Sequence, residues 1–142
     1  MYKLPAYVGI ILKKDTQVLL VKRTNTDWAA GYWNFPGGLL EENETLINAA
    51  IREAHEEIGV TLNAQDMKLV QVLHVRKSDS NTKDIFGFGF LAESWQGTPI
   101  NNEPHRHSEI GWFDLNHLPD KLTDHARIAI DSIKNNRIYS EN

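Results

Sequence analysis

The sequence predicts an α/β fold: a mixed β-sheet with helices packed against it. Three observations predict it. The elements run strands, helix, strands, helix, which is not the regular alternation of βαβ units. The strand segments are rich in β-branched residues and bounded by turn residues. Two longer segments carry apolar residues at helical spacing instead. The 142 residues suit one domain around one hydrophobic core. No internal repeat, low-complexity tract or Pro/Ser-rich linker divides them, so a single domain over 1–142 is expected.

"AYVGIILKK" and "QVLLVKR" read as a hairpin turning at Asp15-Thr16. "TNTDWAAGYWNFPGG" follows as a polar, Gly-rich connection with aromatics that look buried. Asn43 is the expected helix cap, with Glu44 in the first turn, where the helix dipole favours an acid. That helix should run to about Ile58 and stop at Gly59. "MKLVQVLHVRK" and "DIFGFGFLAESW" read as strands flanking a mobile polar loop from Ser78 to Lys83. "EIGWFDL" is a further short strand and "LPD" a turn. "DHARIAIDSIKNN" closes as an amphipathic helix with Ala126, Ile130 and Ile133 near one face.

Composition narrows the function. A net charge of −4 argues against a broad nucleic-acid footprint, so an anionic substrate would need a local basic cluster or a bound cation. The chain has no cysteine, which removes disulfides, thiolate zinc sites and thiol nucleophiles together. The apolar run Ala6 to Leu12 is too short to span a bilayer. It also lacks a basic flank and a small-residue cleavage site, so a cytoplasmic protein without a membrane partner is expected.

The informative stretch is "GGLLEENETLINAAIREAHEEIGV", with six glutamates, one arginine and no lysine. Around a helix, Glu57 lies about 40° to one side of Glu53 and Glu56 about 60° to the other. Ile47, Ile51, Ala54 and Ile58 fall on a separate stripe suited to a core. The acids therefore project beside the core stripe, and Ala49 and Ala50 leave room for another segment to pack there. Clustered carboxylates raise one another's pKa values, which arginines or a cation could offset. Arg52 and Arg23 are too few for Glu41, Glu42, Glu44, Glu53, Glu56 and Glu57. A hard cation fits oxygen-only ligands, Mg²⁺ or Mn²⁺ above all. The plain alternative is a solvated acidic face, the usual fate of a charge run.

The spacing bears on that choice. Gly38, five residues, Glu44, seven residues, Arg52-Glu53, Ala54, one residue, Glu56-Glu57, one residue, Gly59, Val60: the series resembles the signature of the Nudix hydrolase family, every fixed position filled. At ordinary residue frequencies the seven fixed positions would match by chance on the order of 10⁻⁸ to 10⁻⁹ per start site. "GYWNFPGG" upstream and "EIGWFDLNHLP" downstream also resemble family members, so the likeness covers most of the chain.

The resemblance implies a Nudix-type α/β/α sandwich with a mixed sheet. It implies a substrate in which a nucleoside diphosphate is linked to another group, hydrolysed with Mg²⁺ or Mn²⁺. It makes Glu53, Glu56 and Glu57 metal ligands and the Gly37 carbonyl a further one. Arg52 orients Glu53, Glu44 supports the junction of loop and helix, and Gly38 admits the substrate. The general base is either a helix glutamate or one on a later loop. Glu103 is the loop candidate, its plain reading being a turn residue before Pro104. Arg23, at a strand end, contacts a phosphate or makes an ordinary salt bridge. The resemblance also admits a homodimer.

Other residues read as structural. His105 to His107 lack a third partner and read as a surface loop. His55 lies opposite the carboxylates, and His74 could face core or cleft. Most of Trp33, Phe35, Phe86, Phe88 and Phe90 should fill a sheet face rather than stack on a base. Trp28, in a polar loop, needs a reason to be exposed. "NNEPHRHSEIGWFDLNHLP" resembles the tail of MutT-like enzymes, which implies a nucleoside triphosphate cleaved to monophosphate and pyrophosphate. "GYWNFPGG" also resembles GDP-mannose hydrolases, so a nucleoside diphosphate-sugar is the alternative substrate. A non-catalytic nucleotide-binding module is the alternative of another class; such modules commonly lose signature glutamates, and here all are kept.

Overall fold

The computed structural model describes residues 1–76 and 83–142. The expected loop from Ser78 lies outside the described residues apart from Lys83. The described residues form eight strands in one mixed sheet and two α-helices. The strands are β1 (Ala6–Lys14), β2 (Gln17–Arg23), β3 (Trp33–Asn34), β4 (Gly37–Leu39), β5 (Met67–Val75), β6 (Ile85–Ala92), β7 (His107–Asp114) and β8 (Tyr139–Glu141). The helices are α1 (Leu46–Ile58) and α2 (Asp124–Asn135). No helix of the described residues is long and apolar enough to cross a membrane.

The continuous apolar runs of β1 and β2 reflect a sheet buried on both faces. Because side chains alternate along a strand, Val8, Ile10, Leu12, Leu19 and Val21 pack with Ala50, Ala54 and Ile58 of α1. Ile11, Val18 and Leu20 pack on the opposite face with Ala126, Ala129 and Ile130 of α2. Helix, sheet and helix form the expected sandwich.

The β1–β2 hairpin turns where Asp15 adopts a φ of 56°, as tight hairpins favour. The strands stay paired for only two registered positions, Lys13 with Val18 and Lys14 with Gln17. Beyond that they part, and the segment read from sequence as a loop enters the gap. Trp33 and Asn34 pair with β2, Gly37 to Leu39 pair with β1, and Ile10 N donates to Pro36 O at 2.8 Å. This insertion carries the glycines of the signature up to α1. Parallel pairing of β1 with β6 then continues the sheet through β5 to β8.

Two local expectations are corrected. Asn43 is not the helix cap: it sits in a turn with a φ of 67°. Thr45 caps instead, its hydroxyl accepting from Asn48 N at 3.1 Å. The buried stripe of α1 is also rotated from the expected one. Ala49, Ala50, Glu53, Ala54, Glu57 and Ile58 are buried, whereas Ile47 and Ile51 are only partly covered. Two of the three clustered acids thus lie on the buried face.

Candidate active site

Glu53 and Glu57 retain only 8% and 5% of their exposure, while Glu56 is exposed. The two buried acids face the inserted glycines. Gly37 N donates to Glu57 Oε2 at 2.7 Å. A Cβ at Gly38 would collide with the Glu53 carboxylate, and one at Gly37 would collide with the Val8 carbonyl oxygen. Helix and strand can approach this closely only because both positions are glycine.

Arg52 answers more of the acidic crowding than the sequence suggested. Its Nε and Nη2 donate to the two oxygens of Glu44, at 3.1 and 2.7 Å. Its Nη1 lies 2.9 Å from Glu53 Oε1, 3.3 Å from Glu56 Oε2 and 3.6 Å from Glu41 Oε1. Glu44 also accepts from Glu41 N at 2.8 Å, which closes the turn before the helix. Hydrogen bonding from Arg52 holds the Glu44 carboxyl below its ordinary value. Bidentate pairing of this kind fixes orientation as well as charge.

Glu57 makes no ion pair among the described residues. Burial pushes its carboxyl up to about 8, against the pull of the Gly37 N–H, and Glu53 and Glu103 push the same way. Burial also raises Glu53, although Arg52 offsets part of that. Desolvation penalises the charged form of each, and a nearby cation would restore it. Among the described residues no three carboxylate or imidazole groups stand close enough to form a metal shell alone. Glu56 has turned outward to Arg52. Two buried carboxylates nevertheless fit a hard cation that completes its shell with water and phosphate, as magnesium does.

The cleft over these acids has two connected parts. One, of about 570 Å³, is lined by Glu41, Glu53, Glu57, Gly37, Gly38, Arg23, Arg106 and His107. The other, of about 500 Å³, shares Arg23, Gly37, Gly38, Glu57 and His107 and continues over Tyr7, Trp28, Phe35, Gln71, Ala126 and Ala129. An acidic end therefore opens into an apolar one, with Arg23 at the join. Arg23 makes no ion pair among the described residues; its Nε donates to Trp28 O at 2.9 Å and its guanidinium lies 4.8 Å over the Trp28 ring. Trp28 in turn stacks on His125, which stacks on Tyr7. This column gives the half-exposed tryptophan its reason.

Glu103 lies in the loop that docks on the end of α1. Asn102 N donates to Glu57 O at 3.0 Å, and Asn102 Nδ2 to Glu56 O at 3.1 Å. The Glu103 carboxylate is felt by both Glu53 and Glu57 but pairs with Arg106 at 3.7 Å. His107 corrects the surface-loop reading. His105 and Arg106 are exposed, but His107 is 4% exposed and lines both parts of the cleft. Burial, then Arg23, Arg106 and His105, hold its imidazole down at about 4. Its burial comes from opening β7 opposite Arg23 of β2, which the polar string around it does not signal. Tyr7 and Gln71 carry no sequence signal because each is one polar residue in an apolar run, and His125 carries none because it sits among the polar residues that open α2. His74 pairs with Asp84 at 2.8 Å and does not line the cleft. Phe88 and Phe90 enter the core, whereas Phe35 lines the apolar end.

Comparison with known proteins agrees with this architecture. The NUDIX domain model matches residues 3–133. The 8-oxo-dGTP diphosphatase of Escherichia coli is 33% identical over 103 residues, 72% of this chain and 76% of that protein. The ADP-ribose pyrophosphatase of Methanocaldococcus jannaschii is 31% identical over 126 residues, 87% of this chain and 70% of that one. The crystal structure of a MutT NUDIX hydrolase from Burkholderia pseudomallei superposes with a TM-score of 0.83 at 32% identity, covering 93% of this chain and 99% of that one. Against these relatives and an uncharacterised Nudix hydrolase of Bacillus subtilis, the chain spans 65% to 76% of the curated proteins' length. Because the match runs from before β1 into α2 and takes in both halves of the cleft, the chain belongs to the Nudix family, as one of its hydrolases.

Proposed function

We propose that the protein hydrolyses a (deoxy)nucleoside triphosphate to a nucleoside monophosphate and pyrophosphate, with Mg²⁺ or Mn²⁺ as cofactor. The observation that carries this reading is the single cleft whose acidic end buries Glu53 and Glu57 and whose apolar end is lined by Phe35, Ala126 and Ala129. Diphosphate chemistry belongs at the first end and a base at the second.

In this reading Glu53, Glu57 and the Gly37 carbonyl would hold the cation, and Glu56 would join them if it left Arg52. A cation held there would neutralise phosphate charge and lower the pKa of water. Arg52, anchored by Glu44, keeps Glu53 oriented and ionised. Gly38 leaves the carboxylate accessible, and Arg23 pairs with a phosphate at the join. A water attacks phosphorus, the P–O–P bridge breaks, and a carboxylate takes the water's proton. Glu103 is the candidate for that base, being close enough to be felt by both buried acids.

A nucleoside diphosphate-sugar is the second reading. It is favoured by the 31% identity to an enzyme named as an ADP-ribose pyrophosphatase and by the GDP-mannose-like "GYWNFPGG". The test is product analysis with Mg²⁺ over a panel of nucleoside triphosphates, nucleotide sugars and dinucleotides. Pyrophosphate released from a triphosphate supports the first reading. A sugar phosphate or free sugar, with triphosphates untouched, replaces it with the second.

A further inference from the structure

A second arginine stands at the acidic end of the cleft. Arg106 lines the part that holds Glu41, Glu53 and Glu57 but not the apolar part, whereas Arg23 lines both. The two cations are therefore set in series, Arg23 at the join and Arg106 farther from the apolar end. The edge between β2 and β7 fixes their places: Arg23 is registered with His107, and Thr24 N donates to Arg106 O at 2.9 Å. After burial, Arg106 is among the charges that act on Glu57, Arg23 and His107. Two guanidiniums that sense one another in one cleft are relieved by an anion.

Arg106 is held to Glu103 alone, and loosely. Its Nη1 lies 3.7 Å from Glu103 Oε2, an ion contact too long for a hydrogen bond. Among the described residues neither side chain has another hydrogen bond or ion pair. The two differ in freedom, the Glu103 side chain keeping 19% of its exposure and the Arg106 side chain 58%. The backbone between them is clamped. Arg106 N and His107 N donate to Glu103 O at 2.9 and 3.0 Å, and Asn25 Nδ2 donates to His105 O at 3.0 Å. An exposed ion pair is worth little, so this one can part while the turn stays where it is. Arg106 is the member free to swing.

We propose that Arg106 leaves Glu103 for the outermost phosphate of the substrate, so that the anion which needs the base also uncovers it. The inference rests on the triphosphate reading above and gives it an order of events. A terminal phosphate carries more charge than one carboxylate, and a bidentate contact with it outcompetes a single long ion contact. Arg23 keeps the inner phosphate at the join. The freed Glu103 carboxylate is left to the acidic end, where it already acts on Glu53 and Glu57. A sugar at this end would offer Arg106 no such charge.

The test reads binding rather than turnover. Protein with Mg²⁺ is titrated calorimetrically with inorganic pyrophosphate and with AMP, whose single phosphate stops at the join. Arg106→Ala should weaken pyrophosphate by about 10-fold or more, the worth of a charged contact, and leave AMP within about 2-fold. Arg106→Lys should recover part of the loss. Glu103→Gln removes the competitor and should tighten pyrophosphate by about 2- to 5-fold. That gain should vanish when residue 106 is already alanine. A gain that persists in the double variant comes from charge alone and would overturn the exchange. So would a Glu103→Gln protein that binds no tighter, an Arg106→Ala protein that keeps its pyrophosphate affinity or loses AMP equally, or a wild-type protein that binds no pyrophosphate. Should Arg106→Ala not fold, Arg106→Gln takes its place in every comparison. Arg106-dependent binding in a protein that cleaves no triphosphate would keep this inference and defeat the triphosphate reading. Triphosphate cleavage with pyrophosphate binding unmoved by Arg106→Ala would do the reverse.

Discussion

Arg52 Nη1 lies 2.9 Å from Glu53 Oε1, while Nε and Nη2 of the same guanidinium are clasped by Glu44. The planar fork thus transmits the position of a turn before α1 to a carboxylate in its middle. Lysine keeps the charge but not the fork. Arg52→Lys should therefore cost about 10- to 100-fold in cation affinity or turnover, as loss of a supporting contact commonly does. Glu53→Gln should nearly abolish turnover, with the circular dichroism spectrum and melting curve little changed. A folded, fully active Glu53→Gln protein would remove Glu53 from the chemistry.

Gly37 and Gly38 are adjacent but should fail differently. A Cβ at 38 strikes the end of the Glu53 side chain, whereas one at 37 strikes the backbone of β1 at Val8. The first obstacle can move and the second cannot. Gly38→Ala should fold and lose activity, because Glu53 is displaced. Gly37→Ala should lose about 1–3 kcal/mol of stability or more through overpacking. Denaturant melts of the two variants beside their turnover rates will tell; equal melts would contradict this division.

Much of this was legible and some was not, for physical reasons. Glycines, an arginine and acids at fixed spacing define the signature without reference to neighbours, so the family was legible in the sequence. The limits of α1 were less accessible. Asn43 and Thr45 are both good caps by composition, and only the φ of 67° at Asn43 excludes it. β3 and β4 have two and three residues, too few for a periodic pattern, and exist because the β1–β2 hairpin parts to admit them. The burial of His107 and Gln71 is likewise a product of register: opposite Arg23 in one case, beside a bulge in the other. The hub made by Arg52 depends on three-dimensional convergence of Glu41, Glu44 and Glu56, which counting charges along the chain understates.

Two groups with displaced pKa values give the metal-free protein an uneven pH profile. Glu57 rises from 4.5 to about 8 on folding. Its folded form holds a proton that the unfolded chain has released, so its contribution is full below 4.5 and is lost as pH rises through 8. His107 falls from 6.5 to about 4, so its contribution is full above 6.5 and is lost as pH falls through 4. Between 4.5 and 6.5 the two oppose each other; from 6.5 to 8 only Glu57 acts. Melting temperature without metal should therefore drop by several degrees from pH 6.5 to 8. Glu57→Gln should flatten that drop, and His107→Asn should flatten the acid side. Added Mg²⁺ should stabilise most at high pH, with proton release on binding. A melting temperature that climbs from pH 6.5 to 8 without metal would show that Glu57 is ionised in the folded protein.

Arg23 stands where the acidic and apolar parts of the cleft meet, and no carboxylate among the described residues claims it. Burial lowers its pKa, although Glu57 acts the other way. A partly buried guanidinium held by one carbonyl and one indole face has donors to offer an anion. If it binds a phosphate away from the bond that breaks, its loss should weaken substrate and transition state alike. Arg23→Ala should then raise KM by roughly 10-fold, equal to about 1.4 kcal/mol, with kcat changed far less. Arg23→Lys should recover part of that, and the salt dependence of kcat/KM should lessen in Arg23→Ala. Trp28→Ala separates the alternative: if Arg23 matters only as a brace for the Trp28–His125–Tyr7 column, the two alanine variants will match in KM and in salt dependence. If it meets phosphate, Trp28→Ala keeps the salt dependence that Arg23→Ala has lost.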